Sequence, residues 1–274
     1  MTLKLFLIGI LIAFLIATAL LLIVKIMEPR LLFYPSKDLA STPLSLGLEF
    51  RDVIIESKGF NIHGWFLPEQ GSDVYLIFYH GNAGNVSNNL EFARMVQVYK
   101  VNLLMIDYRG YGRSDGFPTI DGVEEDAIAT MAWLINNFKV DPTKIILWGR
   151  SLGVAMAMAT AERYANIGGV ILESGFVSFR RIARYYYPII PACFISNALD
   201  SGARMASLAS PKLIIHGTHD TTIPFAHARE LFALAQDPKQ FMSVKFGGHN
   251  DVAHVGGQGY IRIIGKWIED LKSK

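Results

Sequence analysis

The sequence predicts an α/β fold built on one mostly parallel, eight-stranded sheet with helices on both faces. Three observations lead there. After residue 50, short apolar runs bounded by Gly, Pro, Asp or Asn alternate with longer amphipathic stretches. Within most of the short runs, consecutive positions are apolar, which suits strands buried on both faces. The chain has 274 residues, enough for one large domain with a real core.

The N-terminus stands apart. Residues 5–24 are almost unbroken apolar sequence, with Lys4 before and Lys25 after. A twenty-residue helix spans about 30 Å, the thickness of a bilayer core. A cleavable signal peptide is the competing reading, and Ala17-Thr18-Ala19 imitates a cleavage site. The apolar run continues past it, however, so the length favours an uncleaved single-pass transmembrane helix over 1–27. Lys25, Arg30 and Lys37 outnumber Lys4 across the span, so the positive-inside rule leans toward a cytoplasmic domain. Glu28-Pro29 predicts the end of this helix, because a residue before proline avoids the helical region. Residues 28–49, with prolines and polar residues, read as a linker, and 50–274 as the catalytic domain.

In that domain, residues 51–56 and 60–66 read as a strand pair turning at Lys58-Gly59. Six further strands are expected at 74–79, 101–106, 144–148, 169–172, 212–216 and 241–246. Helices are expected at 88–99 and 121–138, where Asn88 with Glu91 and Asp121 with Glu124 have capping-box spacing. Others are expected at 152–164, 224–235 and 259–272. Lys and Arg total 26 against 24 Asp and Glu, and no basic run occurs, so nucleic acid is not an expected partner. The single cysteine, Cys193, excludes an intramolecular disulfide framework, and its apolar neighbours predict buried packing.

In parallel sheets of this kind, ligands sit beyond the carboxyl ends of the strands. There the sequence places Gly149-Arg150-Ser151-Leu152-Gly153, between a buried strand and a helix. A serine in so sharp a turn requires small residues two before and two after, and the turn lifts its hydroxyl above the sheet edge. A serine nucleophile needs a base, and the base an orienting acid. Asp220 follows the run ending at His216, and His249 follows the last strand, giving the chain order Ser151, Asp220, His249. Rival bases are His254 and His219; rival acids are Glu173, which also follows a strand, and Asp251. The glycine-rich stretch from His80 to Asn85 can expose backbone N–H groups. With Leu152 at the helix start, it nominates the N–H groups of Asn82 and Leu152 as an oxyanion hole. Asp107 and Ser114, in a long loop, read as structural; Tyr108 or Arg109 could border the pocket.

These motifs resemble the α/β-hydrolase superfamily over about residues 50–272. The marks are His80-Gly81-Asn82-Ala83-Gly84-Asn85, Asp107-Tyr108-Arg109-Gly110-Tyr111-Gly112, the serine turn, His216-Gly217-Thr218-His219-Asp220 with Ile223-Pro224, and Gly248-His249-Asn250-Asp251. Within the superfamily the chain is most similar to membrane-associated α/β-hydrolase-domain proteins, some of which remove palmitate from proteins. The resemblance implies the α/β-hydrolase fold and a serine hydrolase with Ser151, Asp220 and His249 as triad. It also implies Asn82 and Leu152 as oxyanion donors. One departure is that the cytosolic depalmitoylases of that group attach through a cysteine-rich N-terminus, whereas this chain carries an apolar span.

Between the sixth and seventh strands, residues 176–209 are rich in aromatics and broken by Pro188 and Pro191. A short cap is expected there, with Phe176, Phe179 and Tyr186 bordering substrate. The expected function is a membrane-anchored serine hydrolase of lipophilic esters or thioesters, with no metal or organic cofactor. The alternatives are a serine peptidase of prolyl-oligopeptidase-like type and a non-catalytic binding protein. A dehalogenase or epoxide hydrolase would want aspartate at position 151.

Overall fold

The computed structural model describes residues 2–164 and 166–272. Met1 of the expected anchor, and residues 165 and 273–274 of the expected catalytic domain, lie outside the described residues. Among these, one sheet is formed by eight strands: β1 (Arg51–Ser57), β2 (Phe60–Leu67), β3 (Tyr75–Tyr79), β4 (Asn102–Ile106), β5 (Ile145–Arg150), β6 (Gly169–Glu173), β7 (Lys212–Gly217) and β8 (Lys239–Val244). Their order across the sheet is β8-β7-β6-β5-β3-β4-β2-β1. From β8 to β4 all pairings are parallel, and β2 pairs antiparallel with both β4 and β1.

The central strands are apolar on both faces because both are covered. Residues of β4, β5 and β6 are buried almost throughout. Helices α2 (Leu90–Val96) and α8 (Val252–Lys272) pack on one face through Phe92, Tyr260, Ile264 and Trp267. Helices α3 (Ile120–Phe138), α4 (Gly153–Arg163) and α7 (Ala226–Leu234) pack on the other. Helix α4 is buried from Gly153 to Ala161, as its Ala- and Met-rich sequence requires.

Three boundaries differ from expectation for local reasons. Thr119, not Asp121, caps α3: its hydroxyl accepts from Gly122 N–H. The capping box sits at Asn85 and Asn88, opening a 3₁₀ turn one step before α2. Helix α8 begins seven residues early at Val252 and is kinked at Gly257, whose φ of 50° only glycine adopts cheaply.

The N-terminal helix α1 (Thr2–Leu32) does not stop at Glu28-Pro29. Pro29 removes one helical donor, but the last turn is held by tertiary contacts that outweigh that loss. Glu28 is buried and accepts from Ser196 N–H at 2.6 Å; Leu32 and Phe33 enter the core. Helix α1 is long and apolar enough to cross a membrane, and its apolar window is unburied by the rest of the chain. The stretch read as a linker then pairs Tyr34–Pro35 in parallel with Ala83–Gly84.

The segment after β6 contains α5 (Phe179–Tyr186), a 3₁₀ turn (Ala192–Phe194) and α6 (Ser201–Ser207). Cys193 is exposed, contrary to the buried packing expected. In that short turn the apolar role falls to Ile195, which is buried, and the cysteine faces outward.

A buried ion pair ties the loop after β4 to α3. Arg109 donates to Asp126 through its backbone N–H and through Nε and Nη2, the last at 2.7 Å. Arg109 and Asp126 are both buried. Asp126→Ala leaves the buried Arg109 only the part-exposed Glu125, 3.2 Å from its Nη2, so it should lose on the order of 3 kcal/mol of stability in urea unfolding followed by tryptophan fluorescence. A change below about 0.5 kcal/mol would show that this pair does not hold the loop.

Candidate functional site

The site begins with the turn after β5. Ser151 has a φ of 55°, a left-handed conformation that costs a non-glycine residue about 1–3 kcal/mol. Packing enforces it. A Cβ at Gly149 would stand 2.2 Å from the Gly153 carbonyl oxygen, and one at Gly153 would stand 1.9 Å from that of Tyr79. The turn can therefore close only between these glycines. It is tied to the sheet by Ser151 N–H, which donates to the Glu173 carbonyl at 2.9 Å.

Asp220 and His249 reach the same place from the ends of β7 and β8. Asp220 Oδ2 lies 2.7 Å from His249 Nδ1, and His249 Nε2 lies 3.0 Å from Ser151 Oγ. An ionised carboxylate only accepts, so Nδ1 carries the proton and Nε2 is left free to accept from the serine hydroxyl. Asp220 is held by more than the histidine. Its Oδ1 accepts from the N–H groups of Thr222 and Ile223, and His216 Nε2 lies 3.1 Å from its Oδ2. Burial pushes the Asp220 carboxyl up. Hydrogen bonds from His216 and His249, the charge of His249 and the Ile223 N–H outweigh that and hold it well below the usual carboxylate range.

The rivals are occupied elsewhere. Glu173 is buried beneath the turn, its carboxylate receiving Arg150 Nε at 3.0 Å, Trp148 Nε1 at 3.2 Å and the Tyr260 hydroxyl at 2.6 Å. Asp251 accepts from Gly248 N–H within its own loop. His219 packs at a tilt against Phe246 and His254 is exposed. Asp107 accepts from Val86 N–H, and Ser114 donates to the Asp107 carbonyl, so both organise loops. Tyr108 donates to the His80 carbonyl. Neither Tyr108 nor Arg109 lines the cavity at Ser151.

Asn82 and Leu152 line that cavity together with Ser151. The Asn82 carbonyl accepts from Tyr34 N–H and the Tyr111 hydroxyl, and its side-chain amide donates to the Leu32 carbonyl. Among the described residues, no protein group accepts from the N–H of Asn82 or of Leu152. Two backbone donors are thus left beside the serine hydroxyl.

The cavity is about 330 Å³ and mostly apolar. Phe176, Phe179 and Tyr186 line it, with Ile182 and Ile190 from the same cap. The Tyr186 hydroxyl donates to the Thr222 carbonyl at 2.7 Å, which ties the cap to the loop carrying Asp220. Sequence reasoning missed two contributors. His216 was read only as the end of a strand, although its place four residues before Asp220 was a signal. The last turns of α1 supply Val24, Glu28, Leu31 and Leu32 to the cavity wall, a contact with no local signature.

This arrangement can transfer a proton from the serine hydroxyl to an oriented imidazole, next to two free N–H donors and an apolar cavity. The comparisons with known proteins agree with the fold. A family model described as serine aminopeptidase, S33, matches residues 71–199. The chain is 30% identical over 260 residues to the uncharacterised protein Rv2307c of Mycobacterium tuberculosis, covering 93% of this chain and 92% of that one. It is 30% identical over 262 residues to the alpha/beta hydrolase domain-containing protein WAV2 of Arabidopsis thaliana, covering 85% and 84%. Among solved structures, the esterase Pf2001 of Pyrococcus furiosus superposes with a TM-score of 0.74 at 20% identity, over 87% of this chain and 98% of that one. The structural likeness establishes the shape and the full-length relatives establish the kinship: the chain belongs to the α/β-hydrolase superfamily.

Proposed function

We propose that the protein is a membrane-anchored serine hydrolase that cleaves carboxylic esters or thioesters with a lipophilic acyl part. The observation that carries this reading is the continuous hydrogen-bonded path from Asp220 through His249 to Ser151, opening into an apolar cavity. In the first step His249 Nε2 takes the Ser151 proton as Oγ bonds to the substrate carbonyl carbon. The carbonyl oxygen becomes an oxyanion held by the N–H groups of Asn82 and Leu152, each typically worth about 10²–10³-fold in rate. The imidazolium then protonates the leaving alcohol or thiol, which departs. Water, deprotonated by His249, releases the acyl group and restores the serine. Asp220 fixes the tautomer and stabilises the imidazolium.

The apolar span of α1 supports the anchor, and the apolar cavity supports an acyl chain rather than a charged substrate. An acyl thioester on a protein is one member of this substrate class. A second reading, an aminopeptidase, is favoured by the description of the matching family model and by Glu28, an acidic side chain in the cavity wall. There its carboxylate would pair with a substrate ammonium. Turnover of aminoacyl p-nitroanilides in preference to acyl esters would select this second reading.

A p-nitrophenyl ester series from acetate to palmitate tests the proposal. Turnover should rise with chain length beyond acetate and fall by about 10⁴-fold or more in Ser151→Ala and in His249→Ala with the fold intact. Full activity in either variant would overturn the assignment. Asp220→Asn should cost about 10⁴-fold, since the amide favours the wrong tautomer, whereas Glu173→Gln should leave the acid role in place. Loss on Glu173→Gln with activity kept in Asp220→Asn would reverse that assignment.

The low-lying Asp220 carboxyl also sets the pH profile. Because it stays ionised across the ordinary acid range, Asp220 should add no step of its own to the acid limb. The acid limb of log kcat/KM should therefore have a slope of one down to about pH 4. A slope of two above that pH would show Asp220 titrating where this account keeps it charged.

A further inference from the structure

The cavity that receives Ser151 is walled on one side by α1 itself. Val24, Glu28, Leu31 and Leu32 come from its last turns; Phe179, Ile182, Tyr186 and Ile190 face them from the cap. Val24 is the last residue of the unbroken apolar run, so the α1 end of the cavity begins where a bilayer-thick helix would leave the hydrocarbon. From Val24 to Leu32 the helix advances about 12 Å toward the core. Glu28 closes the wall by accepting from Ser196 N–H, which locks the cap against the helix.

The outer side of the same cap exposes large apolar side chains at its tip. Ile189 is 94% exposed and Tyr185 is 57% exposed, with Arg184 exposed beside them. Tyrosine and arginine around an exposed aliphatic side chain is the pattern of a membrane interface. This patch belongs to the same cap segment whose 3₁₀ turn and Ser196 pack on α1.

We propose, resting on the hydrolase reading above, that the tip of the cap seats on the bilayer and that the substrate is a membrane-resident acyl ester. It enters sideways, between the last turns of α1 and the cap, without crossing water. Helix α1 is then a wall of the entry path as well as an anchor. The ester carbonyl reaches Ser151 while the acyl chain lies along Val24, Leu31 and the cap residues.

The test uses the full chain in phosphatidylcholine vesicles with two substrates, water-soluble p-nitrophenyl butyrate and p-nitrophenyl palmitate held in the same vesicles. Tyr185 and Ile189 do not line the cavity. A double variant, Tyr185→Ser with Ile189→Asp, should leave butyrate turnover unchanged and lower palmitate turnover on the order of tenfold. Val24→Trp, which narrows the entry, should lower palmitate turnover relative to butyrate. Palmitate turnover unchanged in both variants would overturn the inference and leave the hydrolase reading standing. Equal loss of both substrates in the double variant would also overturn it, by showing that the tip serves the cap's own packing. If the unmodified protein cleaves neither substrate, the hydrolase reading falls, and this inference with it.

Discussion

The structure turns on the steric closure between β5 and α4. Tyr79 ends one strand, Gly149 approaches the end of the next, and α4 starts so close to both that no Cβ fits at Gly149 or Gly153. This contact forces Ser151 into a left-handed conformation and lifts its hydroxyl above the sheet. The strain is tolerated because the surroundings over-determine it: the Glu173 carbonyl holds Ser151 N–H, and the Glu173 side chain is pinned by Arg150, Trp148 and Tyr260. A carboxylate that looks available from sequence alone is thus part of the floor under the turn.

Around this point the sheet acts as a positioning device. Ser151 and His249 are 98 residues apart, and His249 and Asp220 are 29 apart, yet each follows a strand whose carboxyl end faces the same edge. Parallel pairing of β5 through β8 fixes their separation. Asp220 is then oriented by two backbone donors and His249, with His216 Nε2 packed 3.1 Å away, so its charge points at His249 rather than at solvent.

Much of this was legible because it is enforced locally. Glycines flanking a serine, a strand end before Asp220 and a glycine pair before His249 are requirements of tight turns, and turns are written in short sequence. The strand centres were legible for a similar reason: burial on both faces leaves a continuous apolar run. What sequence did not reveal depends on distant contacts. Glu28 meets Ser196 across 168 residues, and no pattern near Pro29 signals that the helix continues. Tyr34 is likewise joined to the loop of Asn82, so a stretch that reads as linker fixes one of the two N–H donors. Cys193 sits among apolar residues, but in a single 3₁₀ turn only some of them can face inward. Cap residues are harder to read than strand residues because a short irregular segment has no periodicity to test.

The central claim is that His249 and Asp220 activate Ser151 as a nucleophile. Labelling with a fluorophosphonate, followed by mass spectrometry of the modified peptide, tests it most directly, because the probe reacts with an activated serine whatever the natural substrate. The account predicts stoichiometric modification at Ser151 that disappears in His249→Ala. Folded protein that remains unlabelled, or labelling at a different serine, would contradict it.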